Sequence, residues 1–162
     1  MEVAITYLIV GNKILFLYKD TRGYFVGPGG KRDEPEILVE TAKREFAEET
    51  GIEIEPKLFA ETSVLAGNGE EQEHFMLYSY YATEYSGEAL TRTSEGEVMW
   101  KPISDIQNLP MFPGDKILLL RLLAKLANNS QIAVEDAKIH YNKQYTQIQN
   151  FLINGIVIEL EW

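Results

Sequence analysis

Four charged side chains, Arg44, Glu45, Glu48 and Glu49, crowd the end of the run GGKRDEPEILVETAKREFAEETGI that starts at Gly29. The pattern predicts a helix from about Glu36 to Thr50, with Pro35 suited to its first turn and Gly51 placed to end it. On such a helix Glu45, Glu48 and Glu49 share one side and repel each other. Glu48 and Glu49 also meet the negative end of the helix dipole, where acids are unfavourable. A cation is the expected partner. All-oxygen clusters suit hard divalent ions, Mg²⁺ above all and Mn²⁺ as an alternative, which take the rest of their shell from water and substrate phosphates. The competing reading is a solvated acidic helix face. Gly29 and Gly30, just ahead of the helix, allow close backbone approach and unusual dihedrals, or mark a plain turn.

The spacing argues for chemistry. Gly30, five residues, Glu36, seven residues, then Arg44-Glu45-Phe46-Ala47-Glu48-Glu49-Thr50-Gly51-Ile52 resembles the Nudix box of the Nudix hydrolases, with every defining position filled. Nine defined positions at fixed spacing are far more specific than a short glycine motif. The resemblance implies hydrolysis by water of a nucleoside diphosphate linked to a further group, with divalent metal. It implies Glu45, Glu48 and Glu49 as metal ligands, the Gly29 carbonyl as another, and Glu45 as the group that activates water. Arg44 would orient the glutamates, Glu36 would fix the loop to the helix, and Lys31 would lie near the site. A further carboxylate from an opposing loop is expected from Glu97 or Glu95, with Glu97 assigned because it lies closer to a strand.

Phosphoryl transfer asks a protein mainly for positioning and charge neutralisation. A bound metal supplies both and lowers the pKa of a bound water. It also resolves a conflict in the composition, because a chain of formal net charge −10 would otherwise repel a polyphosphate. The same charge argues against a nucleic-acid polymer as partner. Zero cysteines exclude disulfides and thiol chemistry, and His74 and His140 are too few for a multi-histidine metal site. Met1-Glu2 lacks the basic start of an export signal and no run reaches the ~18 apolar residues of a membrane span, so a cytoplasmic enzyme, monomer or homodimer, is the default expectation.

Beyond the box, residues 96–120 resemble the MutT-type branch that cleaves 8-oxo-dGTP and related nucleotides, through Glu97, Trp100, Asp105-Ile106, Pro110 and Met111-Phe112-Pro113-Gly114-Asp115. The animal members of that branch carry an acidic pair that reads the purine edge. Here only Asp115 remains, Gly114 takes the other position, and Val26 replaces a base-reading asparagine. Phe112 and Asp115 are the expected base contacts, with Lys31 and Phe25 completing the substrate set. Three functions follow: hydrolysis of a nucleoside triphosphate to monophosphate and pyrophosphate, hydrolysis of another linked diphosphate such as ADP-ribose, a nucleotide sugar or a dinucleoside polyphosphate, and non-catalytic nucleotide sensing.

The elements that must position these residues are an alternating strand from Val3, a turn at Gly11-Asn12, a second strand over about 13–18, and a loop over 20–31. Further strands are expected near 55–65, 73–83 and 97–102. A largely apolar helix is expected over about 115–127, packed as core. Asn154-Gly155 predicts a hairpin, and 128–162 otherwise reads as sheet completion. The length of 162 residues fits one domain, 1–162, with an α/β fold: a Nudix-like α-β-α sandwich around a mixed sheet.

Overall fold

Both faces of the first strand are apolar, and this places it at the centre of the sheet. In the computed structural model, which describes residues 1–160, β1 (Glu2–Val10) buries Ala4 and Leu8 on one side and Tyr7 and Ile9 on the other. Gly11, at φ 60°, turns the chain into antiparallel β2 (Lys13–Lys19), with Leu8 opposite Leu15. The expected loop over 20–31 contains two short strands instead. β3 (Tyr24–Val26) pairs with β2, and β4 (Gly29–Lys31) pairs with β1. Three-residue strands are too short to show a period. Steric fit makes the second pairing depend on glycine, since a Cβ at Gly29 would lie 2.0 Å from the Ala4 carbonyl oxygen.

The acidic helix α1 (Leu38–Thr50) begins two residues later than expected. Pro35 therefore lies in the preceding turn, where the Glu36 N–H donates to the Asp33 carbonyl at 3.0 Å. The Ile37 N–H donates to the Glu40 carboxylate at 3.2 Å, which satisfies one of the orphan donors at the helix start. At the other end Gly51 takes the left-handed conformation, φ 77°, as the sequence predicts, and its N–H donates to the Ala47 carbonyl at 2.9 Å.

The chain continues through β5 (Glu53–Ile54), β6 (Lys57–Ala66), β7 (Glu73–Ala82), β8 (Tyr85–Ser86), β9 (Arg92–Thr93) and β10 (Gly96–Pro102). A 3₁₀ turn over Ile103–Asn108 leads to α2 (Pro113–Ala127), which starts at Pro113 rather than Asp115 because proline suits a first helical position. β11 (Glu135–Tyr141), β12 (Ile148–Ile153) and β13 (Ile156–Val157) close the chain. The predicted hairpin is present, with Asn154 and Gly155 both at positive φ, 51° and 78°. Glu161 and Trp162 lie outside the described residues.

The main sheet runs β13-β12-β11-β6-β7-β1-β2-β10-β9 and is mixed, with β1–β7 and β6–β11 parallel. α1 covers the face of Ala4, Leu8 and Leu15, through Ala42 and Phe46. α2 covers the opposite face, and its Leu118, Leu119 and Leu122 join Tyr7, Ile9 and Phe16 in one core cluster. Burying each of these leucines contributes roughly 1.5–3 kcal/mol. The expected α-β-α sandwich is the observed architecture. Strand β11 went unpredicted although Ala137, Ile139 and Tyr141 alternate correctly, because its partner β6 lies some seventy residues earlier and no local pattern names it.

Candidate functional site

Glu36 and Arg44 form the frame of the acidic end of α1. The Glu36 carboxylate accepts from Arg44 Nη2 at 2.7 Å and Nε at 3.0 Å, from the Thr41 hydroxyl at 2.8 Å and from the Asp33 N–H at 3.0 Å. Donation from Arg44 first, and from the Asp33 amide next, holds Glu36 down at about 2. The same guanidinium donates to Glu45 at 3.0 Å, to Glu48 at 3.3 Å and to the Lys31 carbonyl at 3.2 Å. Arg44 thus ties β4 to α1 and fixes two of the glutamates, with its donors occupied by the protein itself.

Glu45 and Glu49 press against the glycine pair. A Cβ at Gly30 would lie 2.4 Å from the Glu45 carboxyl carbon and 2.5 and 2.6 Å from its oxygens. The Gly29 N–H donates to Glu49 Oε2 at 2.9 Å. Neither glycine has positive φ, so close approach, not an unusual dihedral, is what requires them. Burial raises Glu45 above the ordinary carboxylate range. Glu49, only 7% exposed, is pushed up to about 7 by burial, with the Gly29 amide and Lys19 opposing and Glu45 and Glu95 reinforcing the shift.

A divalent cation fits this donor set. Glu45 and Glu49 are carboxylates desolvated beside one another, and positive charge there would relieve both the burial cost and the mutual repulsion. The fit is in chemistry rather than in a ready cage: among the described residues no three His, Asp or Glu side chains are gathered to grip an ion, and Glu45 and Glu48 face Arg44 instead.

The two candidates for the opposing carboxylate have different partners. Glu97 pairs with Arg92 at 3.1 Å, and that arginine also contacts Asp20. Glu95 is the neighbour that acts on Glu49, and it pairs with Lys19 at 3.1 Å. Gly96 separates the two. At φ 150°, with a Cβ there only 2.0 Å from the Tyr18 carbonyl oxygen, it lets β10 start hard against β2.

Beside the glycine pair a cleft of about 420 Å³ opens, with Gly29, Gly30 and Lys31 in its wall. Its sides are mostly apolar and include Val26, Phe112 and Asp115. Asp115 is half-buried there, and burial pushes it up to about 7. Phe25 is corrected: it lies in the core, 8% exposed, between Phe16 and Tyr18, and does not line the cleft. Phe112 stacks edge-on with Tyr24 at 5.1 Å between centroids. The residues missed by sequence reasoning are Lys19, Arg22, Tyr141 and Tyr145, all in the cleft wall and all remote in sequence from the acidic helix. A second cleft of about 430 Å³, between β5 and β8, has acidic walls and lies apart from the glycine pair. Both histidines are satisfied, His74 with the Ser63 hydroxyl at 3.0 Å and His140 with the Gly67 carbonyl at 2.7 Å.

Comparison with known proteins agrees with this geometry. Residues 2–122 match the NUDIX domain. An uncharacterised Nudix hydrolase, YvcI of Bacillus subtilis (strain 168), is 37% identical over 110 residues, which are 67% of this chain and 70% of that protein. Among solved structures, the mutator MutT protein of Bacillus halodurans superposes with a TM-score of 0.85 at 30% identity, covering 94% of this chain and 97% of its own. The NUDIX domain of Shewanella oneidensis NrtR, solved with ADP-ribose, shares the fold at a TM-score of 0.62 and 19% identity, over 78% of this chain and 88% of that one. These matches show the family: the chain belongs to the Nudix hydrolases and is a pyrophosphohydrolase acting on a nucleoside diphosphate-linked substrate.

Proposed function

We propose that the substrate is a nucleoside triphosphate, hydrolysed to monophosphate and pyrophosphate with Mg²⁺, or with Mn²⁺ in its place. The observation that carries this reading is the shared wall: Gly29 and Gly30 touch the acidic helix on one side and line an apolar cleft with ample room for a nucleobase on the other. A base in the cleft would extend its phosphates across the glycines toward Glu45, Glu48 and Glu49. The resemblance of residues 96–120 to the MutT-type branch supports the triphosphate over other linked diphosphates, and the mutator MutT protein of Bacillus halodurans is similar at 30% identity.

Divalent metal held by Glu45, Glu48, Glu49 and the Gly29 carbonyl would neutralise phosphate charge and make a bound water more acidic. Glu45 accepts a proton from the attacking water, a role suited to a carboxyl already raised by burial. The water oxygen bonds to one of the two phosphorus atoms flanking the α–β bridging oxygen as the P–O bond to that oxygen breaks, and the electron pair leaves on the bridging oxygen with the departing product. Arg44 keeps Glu45 and Glu48 in position, while Lys31 and Lys19 face the phosphates from the cleft wall. Val26 gives the base no hydrogen bond, so discrimination rests on Asp115 and the aromatic walls.

The test is product release with Mg²⁺ across ordinary and oxidised nucleoside triphosphates, ADP-ribose, nucleotide sugars and dinucleoside polyphosphates. The expected result is highest kcat/KM for a triphosphate and negligible turnover in excess chelator. Preference for a linked diphosphate would replace the substrate assignment, and full turnover in chelator would remove the metal.

A further inference from the structure

Three observations about the β11–β12 segment, which lies beyond the matched domain of residues 2–122, concern the same cleft. Tyr141 reaches across to α2: its hydroxyl accepts from the Gly114 N–H at 2.9 Å, and a Cβ at Gly114 would lie 2.7 Å from that hydroxyl and 2.5 Å from Ile139 Cδ1. Glycine at 114 is thus the residue that admits β11 to the cleft. Tyr145 sits in the turn after β11 at φ 60°, a conformation that costs a bulky side chain energy and persists only when its surroundings enforce it. The surroundings here are explicit. Asn142 Oδ1 accepts from the Thr146 N–H at 2.8 Å and the Gln147 N–H at 3.0 Å, and the Asn142 carbonyl accepts from the Tyr145 N–H at 3.1 Å.

The ring so presented meets a planar cation. The Arg22 guanidinium lies 5.9 Å from the Tyr145 ring, 4.8 Å from Phe112 and 5.2 Å from Tyr24, and Arg22 also donates to the Gln144 carbonyl. Arg22 comes from the β2–β3 turn, so this contact joins the two sides of the cleft. Tyr145 is additionally anchored by its hydroxyl, which donates to Glu73 at 2.8 Å.

We infer that the β11–β12 turn is the base-recognition element of this enzyme, with Tyr145 as the ring on which the nucleobase stacks and Arg22 as the group that holds that ring over the cleft. The inference rests on the nucleotide reading of the cleft. It makes substrate choice depend on residues beyond the matched stretch of 2–122. A turn that served only to finish the sheet would need neither a strained tyrosine nor a cation joining it to β2–β3.

The test separates binding from chemistry. Nucleoside monophosphates, purine and pyrimidine, are titrated calorimetrically into the full chain in excess chelator, beside Tyr145→Phe and Tyr145→Ala. Stacking on one aromatic ring is expected to make Tyr145→Ala bind on the order of tenfold more weakly, while Tyr145→Phe, which keeps the ring, stays within about twofold of the unsubstituted protein. Arg22→Leu is expected to weaken binding less than Tyr145→Ala and carries the test if Tyr145→Ala does not fold. Unchanged affinity in a folded Tyr145→Ala or Arg22→Leu overturns the inference. So does the absence of any nucleoside monophosphate binding by the unsubstituted protein, an outcome that leaves metal-dependent diphosphate hydrolysis standing on its own measurement.

Discussion

The glutamate helix and the apolar cleft share the glycine wall but are built by different means. The helix site is mostly local: the side chains that frame it lie between Gly29 and Gly51, held by ion pairs and hydrogen bonds among neighbours, and Lys19 and Glu95 act on it from outside that stretch. The cleft is assembled from β1, the β2–β3 turn, β4, β6, β7, the start of α2 and the β11–β12 turn, through packing and aromatic contact. On the proposed reading, chemistry belongs to a compact, charged motif, and substrate choice to segments that can vary independently.

The sharpest way to break this division is at the motif. Glu45→Gln is expected to lower kcat by about 10²–10⁴-fold, the usual contribution of a positioned general base. Its thermal midpoint should be equal or slightly higher without metal, because a carboxylate disfavoured chiefly by burial, and further by its neighbour Glu48, is replaced by a neutral side chain. Initial rates with Mg²⁺ and a melting curve check both; near-normal turnover in a folded variant would take Glu45 out of the reaction.

Gly30→Ala tests whether the wall between the two regions matters. Its methyl would overlap the Glu45 carboxyl, and displacement of a reacting group by about an ångström costs on the order of 10²-fold in kcat. Nucleotide binding in chelator should change little by comparison. Equal losses in both assays would mean that the wall is structural only.

Glu95→Gln and Glu97→Gln sharpen the boundary on the opposite side. Since Glu95 is the acid that acts on Glu49, its removal should raise the Mg²⁺ needed for half-maximal rate by on the order of tenfold, an outer-sphere effect, and Glu97→Gln should not. The reverse ranking would restore the assignment made from sequence.

The smallest effect belongs to the cleft. Asp115, raised to about 7 by burial, holds its proton more tightly folded than unfolded, where its value is about 4. The folded state therefore loses stability as pH rises from about 4 to about 7 and stays at the lower level above that. Asp115→Asn should abolish this loss, giving a gain on the order of 1 kcal/mol at pH 8, allowing for partial solvent screening, and almost none at pH 4. Urea midpoints at the two pH values measure it, and equal midpoint shifts at both would contradict the burial of that carboxyl.

The legible and illegible parts follow the same line. Gly51 as helix terminator, the Asn154-Gly155 hairpin and the pairing of the first two strands were all readable, because each depends on a few adjacent residues. The orders of Glu95 and Glu97, the burial of Phe25 and the role of Gly114 were not. Each depends on what a distant strand brings alongside: Lys19 and Arg92, Phe16 and Tyr18, Ile139 and Tyr141.

By itself the amino-acid sequence determined the family, the acidic helix and the reaction it supports, since carboxylate spacing along a helix is set by the helical repeat and needs no further partner. Only the tertiary structure decided which aromatic residues wall the cleft. Tyr141 and Tyr145 arrive there through the parallel pairing of β11 with β6, and non-local pairing is a property of the whole packed sheet, with no signature in either strand alone.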